Sequence, residues 1–292
     1  MKGNIIKITI ALICVFFNGT LSYAQDEEFH LDKTYTVNPS GKLWMNPEDA
    51  KVQIIGSERS DVRVKIDRFA EVKKKSRRNL DFKIEVSPKD GDLFIKEIQP
   101  SGSYYVSYGR VDYKILVELP EGVSLVVRSD DSNYEIKNVN GSIDVMLDDG
   151  DVVLNNCGGD RFDFNMDDGD VIMDKAKGEL YAKLDDGNIK VYNADLENVN
   201  ISSDDGRILL ETQLTDSGSY QLEGDDSSIE LVVLSGGGNI IVRGDDTSVR
   251  ATSGFEEIES SESRHRYKLP GGSAKVSIRN DDGQVRISSP GS

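Results

Sequence analysis

Between residues 143 and 287 apolar side chains alternate with polar ones in short runs, and the runs recur at a nearly constant interval. Ile143, Val145 and Leu147 open the series, followed by Phe162, Phe164, Met166 and then Leu180, Ala182, Leu184. Later copies carry Val199, Ile201, Ser203; Tyr220, Leu222, Gly224; Ile240, Val242, Gly244; and Val276, Ile278, Asn280. A second pair of apolar slots trails each run: Val152 and Leu154, Val171 and Met173, Ile189 and Val191, Ile208 and Leu210, Ile229 and Leu231, Val249 and Ala251, Val285 and Ile287. Alternation of period two predicts strands with one buried face. Each repeat therefore holds two short strands.

Between the two strands stands an acidic motif. Asp-Asp-Gly begins at Asp148, Asp167, Asp185, Asp204 and Asp281, and Asp-Asp-Ser or Asp-Asp-Thr at Asp130, Asp225 and Asp245. With the first Asp as anchor, the spacings are 18, 19, 18, 19, 21, 20 and 36. The last predicts a degenerate copy at Ser263, with Tyr267 and Leu269 in its trailing slots. The inward positions on either side of the motif lie an odd number of residues apart, so the strand must break phase there. Asp tolerates turn geometry and Gly admits positive φ, so the motif is read as a corner. A second corner follows nine residues after most anchors, at Val139, Cys157, Ala176, Ala194 and Leu234, with Gly141, Gly159 and Gly178 two residues on.

Two architectures suit this period. One is a single-stranded parallel β-solenoid (β-helix) of about 18–20 residues per coil, with like positions stacked. The other is an antiparallel β-sandwich or meander with Asp-Asp-Gly as hairpin turn. The matching of inward slots from copy to copy favours the solenoid, whose nine coils at about 4.8 Å each would make a rod of roughly 40 Å.

The segment before the repeats is less regular. Leu43, Met45, Val52 and Ile54 alternate, as do Val62, Val64 and Ile66; Ile84, Val86, Leu93 and Ile95 flank Lys89-Asp90-Gly91 in the slots of the later repeats. Residues 25–128 are expected to form an irregular β cap and residues 129–289 the repeat solenoid. Residues 1–24 read as a secretory signal peptide. Lys2 and Lys7 form its basic region, Ile8 to Phe17 an apolar run too short to span a bilayer, and Ser22-Tyr23-Ala24 a cleavage site. Export places the chain in the periplasm, at the cell surface or outside the cell, with no membrane span in the mature part.

Charge sharpens this picture. The chain of 292 residues carries 52 acids against 35 bases, a formal charge of −17. Between Asp130 and Arg250 there are 28 acids and 9 bases, so the excess belongs to the repeats. A polyanion repels nucleic acid. Two Cys and two His exclude a disulfide scaffold and most structural zinc sites.

The Gly-strand-Asp-Asp-Gly-strand units, from Gly141 to Leu154, Gly159 to Met173 and Gly178 to Val191, resemble those of the bacterial putative-adhesin family of exported domains, whose relatives include autotransporter adhesin head domains. So does the entry from Val111 to Val127, through Leu119-Pro120-Glu121-Gly122-Val123. The resemblance covers roughly Gly41 to Ser289. It implies a β-helical rod with a surface or adhesive role, and supplies no catalytic residues. This chain departs from it at the Ser263-Arg264-His265-Arg266 corner and at the 21-residue step.

Candidate chemistry is sparse. If the corners stack, carboxylates stand about 5 Å apart, and Asp148, Asp149, Asp167, Asp168, Asp185, Asp186, Asp204 and Asp205 could ligate calcium as a ladder. The competing reading is turn-forming, solvated acid; the glycine-rich nonapeptide of calcium-binding β-rolls is absent. Arg264, His265 and Arg266 form either a binding site for an anion or partner, or a variable loop. Cys157 occupies a core slot. Trp44, Tyr104, Tyr105 and Tyr108 could stack on sugars or serve as strand-face residues. No nucleophile, base and orienter stand together. The sequence thus reads as a non-enzymatic structural or binding module of the cell envelope that meets a glycan or protein at the surface. The alternative is a β-helical carbohydrate-active enzyme with an acidic cleft.

Overall fold

A computed structural model describes residues 26–75, 81–99 and 106–290; the expected signal peptide, Tyr104, Tyr105 and part of the basic run 73–78 lie outside them. The described chain is all β. The N-terminal part holds β1 (Glu27–Tyr35), β2 (Lys42–Asn46), β3 (Lys51–Ser57), β4 (Val62–Lys75), β5 (Ile84–Lys89), β6 (Asp92–Glu97) and β7 (Val106–Pro120). The central repeats hold β8 (Ser124–Asp131), β9 (Asn133–Lys137), β10 (Ile143–Asp149), β11 (Val152–Asn155), β12 (Gly158–Asp168), β13 (Val171–Asp174) and β14 (Lys177–Gln213). The C-terminal part holds β15 (Ser219–Ser235), β16 (Gly238–Arg243), β17 (Asp246–Ala251), β18 (Glu256–Ser260), β19 (Arg264–Leu269) and β20 (Ala274–Ser288).

Like slots of successive repeats pair in register and in parallel. Ile143 faces Leu125 on one side and Phe162 on the other, Phe162 faces Leu180, and Val199 faces Tyr220. Beyond the acidic corner, Val152 faces Tyr134 and Val171, Val171 faces Ile189, and Ile208 faces Ile229. The pairings run in two series, so each repeat crosses from one layer to the other at its corner. The alternating residues of both layers point between them and join one buried cluster reaching from Tyr35 to Ile287. Hydrophobic burial and the ladder hydrogen bonds thus act at the same positions.

Glycine makes the close stacking at the corners sterically feasible. Gly150, Gly169, Gly187 and Gly206 have φ of 131°, 115°, 141° and 129°. A Cβ on Gly169 would lie 2.2 Å from the Gly150 carbonyl oxygen, one on Gly187 2.1 Å from that of Gly169, and one on Gly206 2.0 Å from that of Gly187. The second corner has its own column: a Cβ on Gly178 would lie 2.1 Å from the Gly159 oxygen. Just before that column, Asn138, Asn156, Lys175 and Asn193 all adopt left-handed backbone, with φ between 50° and 56°.

The order of repeats in space departs from their order in the chain at both ends. The strands β2 and β3 lie between β6 and β8 in one layer and between β7 and β9 in the other. At the far end β20, the last strand of the chain, inserts between β15 and the earlier β16 and β17. Like slots are interchangeable, because any repeat in register supplies the same ladder and the same inward side chains.

Several expected corners resolve differently. Lys89-Asp90-Gly91 is an antiparallel hairpin turn joining β5 to β6, with Lys89 opposite Asp92 and positive φ at both central residues. That conformation matches the twist of an antiparallel pair. The copy predicted at Ser263 is not a corner either. There β18 and β19 form an antiparallel hairpin, and β19 runs antiparallel to β16. Position 265, where a corner needs Gly or a small hydroxyl residue, is His. Tyr267 and Leu269 are nevertheless buried, as expected from their slots. The sheet is therefore mixed: parallel through the repeats, antiparallel at both ends. In the second corner of the Asp225 copy the buried residue is Val233, and Leu234 is half-exposed, because a register shift after Thr212 offsets this stretch. The irregular 21-residue step is absorbed in the loop before β15. Tyr220, fully buried in an inward slot, donates its hydroxyl to the Leu196 carbonyl at 2.8 Å and accepts the Thr215 amide at 3.1 Å.

Two substitutions test the corner columns. Gly169→Ala puts a side chain into a glycine-only conformation against a neighbouring carbonyl, and is expected to lower unfolding free energy by about 2 kcal/mol or more in urea titration. Lys175→Asn restores the residue type that tolerates left-handed backbone at the other three positions, and is expected to gain about 0.5–1 kcal/mol in the same assay.

Candidate functional site

The acidic corners are built from the residue before the anchor to the third after it. At Leu147, Met166 and Leu184 an apolar side chain fills the inside of the corner and Gly follows the two acids. In the Asp225 and Asp245 copies the arrangement is inverted: Gly224 and Gly244 stand before the acids, and Ser227 and Thr247 follow them. Ser227 is buried and donates to the Ser203 carbonyl at 3.2 Å. Thr247 donates to the Asp281 carbonyl at 3.2 Å. A Cβ on Gly224 would lie 2.6 Å from the Ser227 Cβ, so in this copy one position carries the filling group, whereas in the Asp130 copy Ser129 and Ser132 are both buried. This exchange is visible in the sequence once position −1 is read together with position +2.

All eight candidate calcium ligands, Asp148, Asp149, Asp167, Asp168, Asp185, Asp186, Asp204 and Asp205, are exposed. Some stand in a column: Asp149 beside Asp131, Asp168 beside Asp186, Asp205 beside Asp226, Asp226 beside Asp282, and Asp282 beside Asp246. Among the described residues no group of three or more carboxylate, His or Cys side chains is gathered for a metal ion. A further series of hydrogen bonds between repeats comes from a position the sequence reading passed over, the third after the anchor. Asn133 Oδ1 accepts the Asp151 amide at 3.0 Å, Asp151 Oδ1 the Asp170 amide at 3.0 Å, and Asp170 Oδ1 the Asn188 amide at 3.1 Å. Partial burial alone would raise the Asp170 carboxyl, but Asn188 and Lys190 hold it below its usual range.

Arg264, His265 and Arg266 lie in β19, a strand with neighbours on both sides. Arg266 Nη1 is 3.4 Å from Glu259, and His265 Nδ1 is 3.8 Å from Glu257, both on β18. Cys157 is 2% exposed and burial pushes its thiol pKa up, as suits a core residue. Trp44 lies on the outer face of β2, stacked on Phe94 at 5.9 Å, and its Nε1 donates to Asp92 at 3.3 Å. The Tyr108 ring is covered by the Arg68 guanidinium at 5.2 Å.

A concavity lies elsewhere. A groove of about 640 Å³ crosses the outer face of β4, β7, β3, β9 and β11. Its charged and amide groups include Lys51, Lys65, Lys114, Gln53 and Glu135, set around Leu116 and Val153. Lys65 pairs with Asp67 at 2.9 Å and Lys114 with Asp112 at 2.9 Å. The groove draws on five strands far apart in sequence, so no local motif announces it.

A second cluster is interior, at the same end. The Glu97 carboxyl is half-buried and accepts the Glu48 amide at 3.2 Å. Burial, opposed by that amide and reinforced by the Glu48 charge, pushes it up to about 7. Tyr113 and Tyr134 are buried nearby, and burial raises both phenol pKa values.

The family model described as Toastrack DUF4097 matches residues 41–288, which takes in every strand from β2 to β20. The chain belongs to this family. The expected resemblance therefore holds at the level of a family of domains of unknown function. Several solved structures are similar at low identity. A "putative cell adhesion protein" from Clostridium sporogenes is 19% identical, covering 89% of this Toastrack chain and 100% of its own, with a TM-score of 0.31. A "putative adhesin" from Parabacteroides distasonis is 12% identical, covering 91% and 97%, with a TM-score of 0.45. A "putative lipid binding protein" from the same organism is 13% identical, covering 89% and 96%, with a TM-score of 0.38. No curated protein matches the chain. Among the described residues no helix is long and apolar enough to cross a membrane.

The Glu97 environment makes a signed prediction. Its pKa in the folded chain lies above the ordinary 4.5, so folding is favoured most when the group is protonated. That contribution is present below pH 4.5 and is lost as pH rises through about 7. Glu97→Gln is therefore expected to raise Tm relative to the parent at pH 8 and leave it unchanged at pH 4, as read by thermal melts.

Proposed function

We propose that the chain is an exported, non-enzymatic binding module of the cell envelope, built as a parallel β-solenoid whose outer faces meet a surface ligand. In this reading residues 1–24 direct export, residues 25–128 cap the solenoid, residues 129–289 form a stiff acidic rod, and the binding groove spans the junction of the last two. The observation that carries the proposal is the groove on β4, β7, β3, β9 and β11. Its mixture of ammonium, carboxylate and amide groups around Leu116 and Val153 suits a polyhydroxylated ligand, because sugar hydroxyls both donate and accept while sugar C–H faces cover apolar side chains. The non-enzymatic part is supported by the corner acids, which turn geometry and repetition account for without a catalytic role.

An immobilised glycan panel tests this. The chain is expected to retain a subset of oligosaccharides, and Lys51→Glu combined with Leu116→Asp to weaken that binding at least tenfold, with Asp148→Asn at a corner leaving it unchanged. Failure to retain any member of the panel, or equal binding by the groove variant, would overturn the glycan reading.

A further inference from the structure

The four strands that end the two layers differ in how they are protected. A strand edge offers unpaired N–H and C=O groups, and stable proteins blunt it with proline, charge or a bulge. One layer ends in β5, which contains Pro88, and in β18, which carries Glu256, Glu257 and Glu259 and a register shift between the last two. The other layer begins at β1, with Glu27, Glu28, His30, Asp32 and Lys33 along it. It ends at β17, Asp246-Thr-Ser-Val-Arg-Ala, which has no proline and no bulge and pairs, among the described residues, with β20 alone. Its inward side chains are under-covered. Val249 and Ala251 are only partly buried, whereas Val285 and Ile287, in the same slots of β20, are 1% and 0% exposed.

The charges on β17 are also mismatched with their one neighbour. Asp246 stands opposite Asp282 and Arg250 opposite Arg286. Neither Asp246 nor Arg250 has an ion-pair partner among the described residues. The Asp282 carboxyl is raised by partial desolvation and by Asp226 and Asp246. A strand with acid at one end and base at the other, symmetrically placed about Ser248, is complementary to itself when reversed. We propose that β17 is a self-association edge, pairing antiparallel with β17 of a second copy about a two-fold axis at Ser248. That register sets Asp246 opposite Arg250 of the second copy at both ends, and Thr247 opposite its Val249 on the inner face. It extends the ladder across the dimer and closes on itself, so no filament grows from it. Overall charge does not oppose the approach at this end: residues 238–288, which span β16 to β20, carry eight acids and eight bases.

The test is charge reversal followed by restoration, read by sedimentation equilibrium of the chain over 1–200 μM. The parent is expected to dimerise in that range. Arg250→Glu, which sets acid against acid, should weaken the dimer at least tenfold, and the double variant D246R/R250E should restore it. Circular dichroism melts identify any variant that has simply unfolded. Ser248→Cys gives an independent readout: at a two-fold in this register the two Cα atoms stand about 4.5–5.5 Å apart, within disulfide reach. Mild oxidation should then produce a covalent dimer on a non-reducing gel, and R250E in the same background should abolish it. A parent monomeric at 200 μM, a dimer indifferent to R250E, or a Ser248→Cys chain that stays monomeric would each overturn the proposal.

Discussion

The structure depends on how closely one repeat can lie on the next. Strands in a ladder stand about 4.8 Å apart, and where the chain turns a corner there is no pleat to carry side chains clear of the neighbour. The corner glycines meet that condition: a methyl group on Gly187 or Gly206 would penetrate the carbonyl of the glycine beneath it. Because these corners stack without offset, the strands on either side fall into register. Register in turn sets apolar slot on apolar slot, so Phe162 lies between Ile143 and Leu180, and Val171 between Val152 and Ile189. A slip of one residue would turn every one of these side chains outward. Steric permission at one position per repeat thus governs burial at five others.

The same condition explains why the corners tolerate two solutions. From the Asp148 copy onward the space inside each acidic corner is filled from one side, whereas in the Asp130 copy Ser129 and Ser132 are both buried there. An apolar residue before the acids fills it when glycine follows them, and Ser227 or Thr247 fills it when glycine precedes them. The hydroxyl solution adds hydrogen bonds to the neighbouring carbonyls. Ser203 and Asn280, polar residues in slots otherwise apolar, lie in the repeats flanking Ser227, and Asn280 Nδ2 donates to the Ser227 carbonyl at 2.9 Å. The later repeats have therefore exchanged part of an apolar corner column for a hydrogen-bonded one.

Much of this was legible in sequence because the determinants are local and periodic. Positions −5, −3, +4 and +6 about each anchor named nearly the whole core of the repeats, and the phase slip named the corner. What was not legible has a common cause: the pattern specifies what each slot needs but not which repeat supplies it. Identical slots let β20 lie between β15 and β16, and let β2 lie between β6 and β8, without any change in residue type. Likewise Asp90-Gly91 and Asp149-Gly150 look alike in sequence, yet the first reverses the chain and the second passes it to the other layer. The distinction lies in the backbone: Asp90 and Gly91 both have positive φ, whereas in the second pair only Gly150 does. The groove was illegible for a stronger reason, since its residues are brought together only after β3, β4, β7, β9 and β11 have found their neighbours.

The interleaved ends also bear on why the stack stops. A repeat array offers an open edge at each end, and atypical terminal repeats are the usual remedy. Here the chain returns past its own first repeat, through β6 and β7, before moving on to β8, and at the far end returns with β20 to lie inside the repeat before it. Each return places a long-range contact at the end of the stack: β6 and β7 lie on β2 and β3 at one end, and β16 and β17 lie on β20 at the other. The antiparallel strands β5, β1 and β4 at one end and β19 and β18 at the other are then free to differ from the repeat in sequence and charge. Lys65 on β4 and Arg264 and Arg266 on β19 are placed there, while residues 130–250, bound to the corner motif, carry 28 acids against 9 bases.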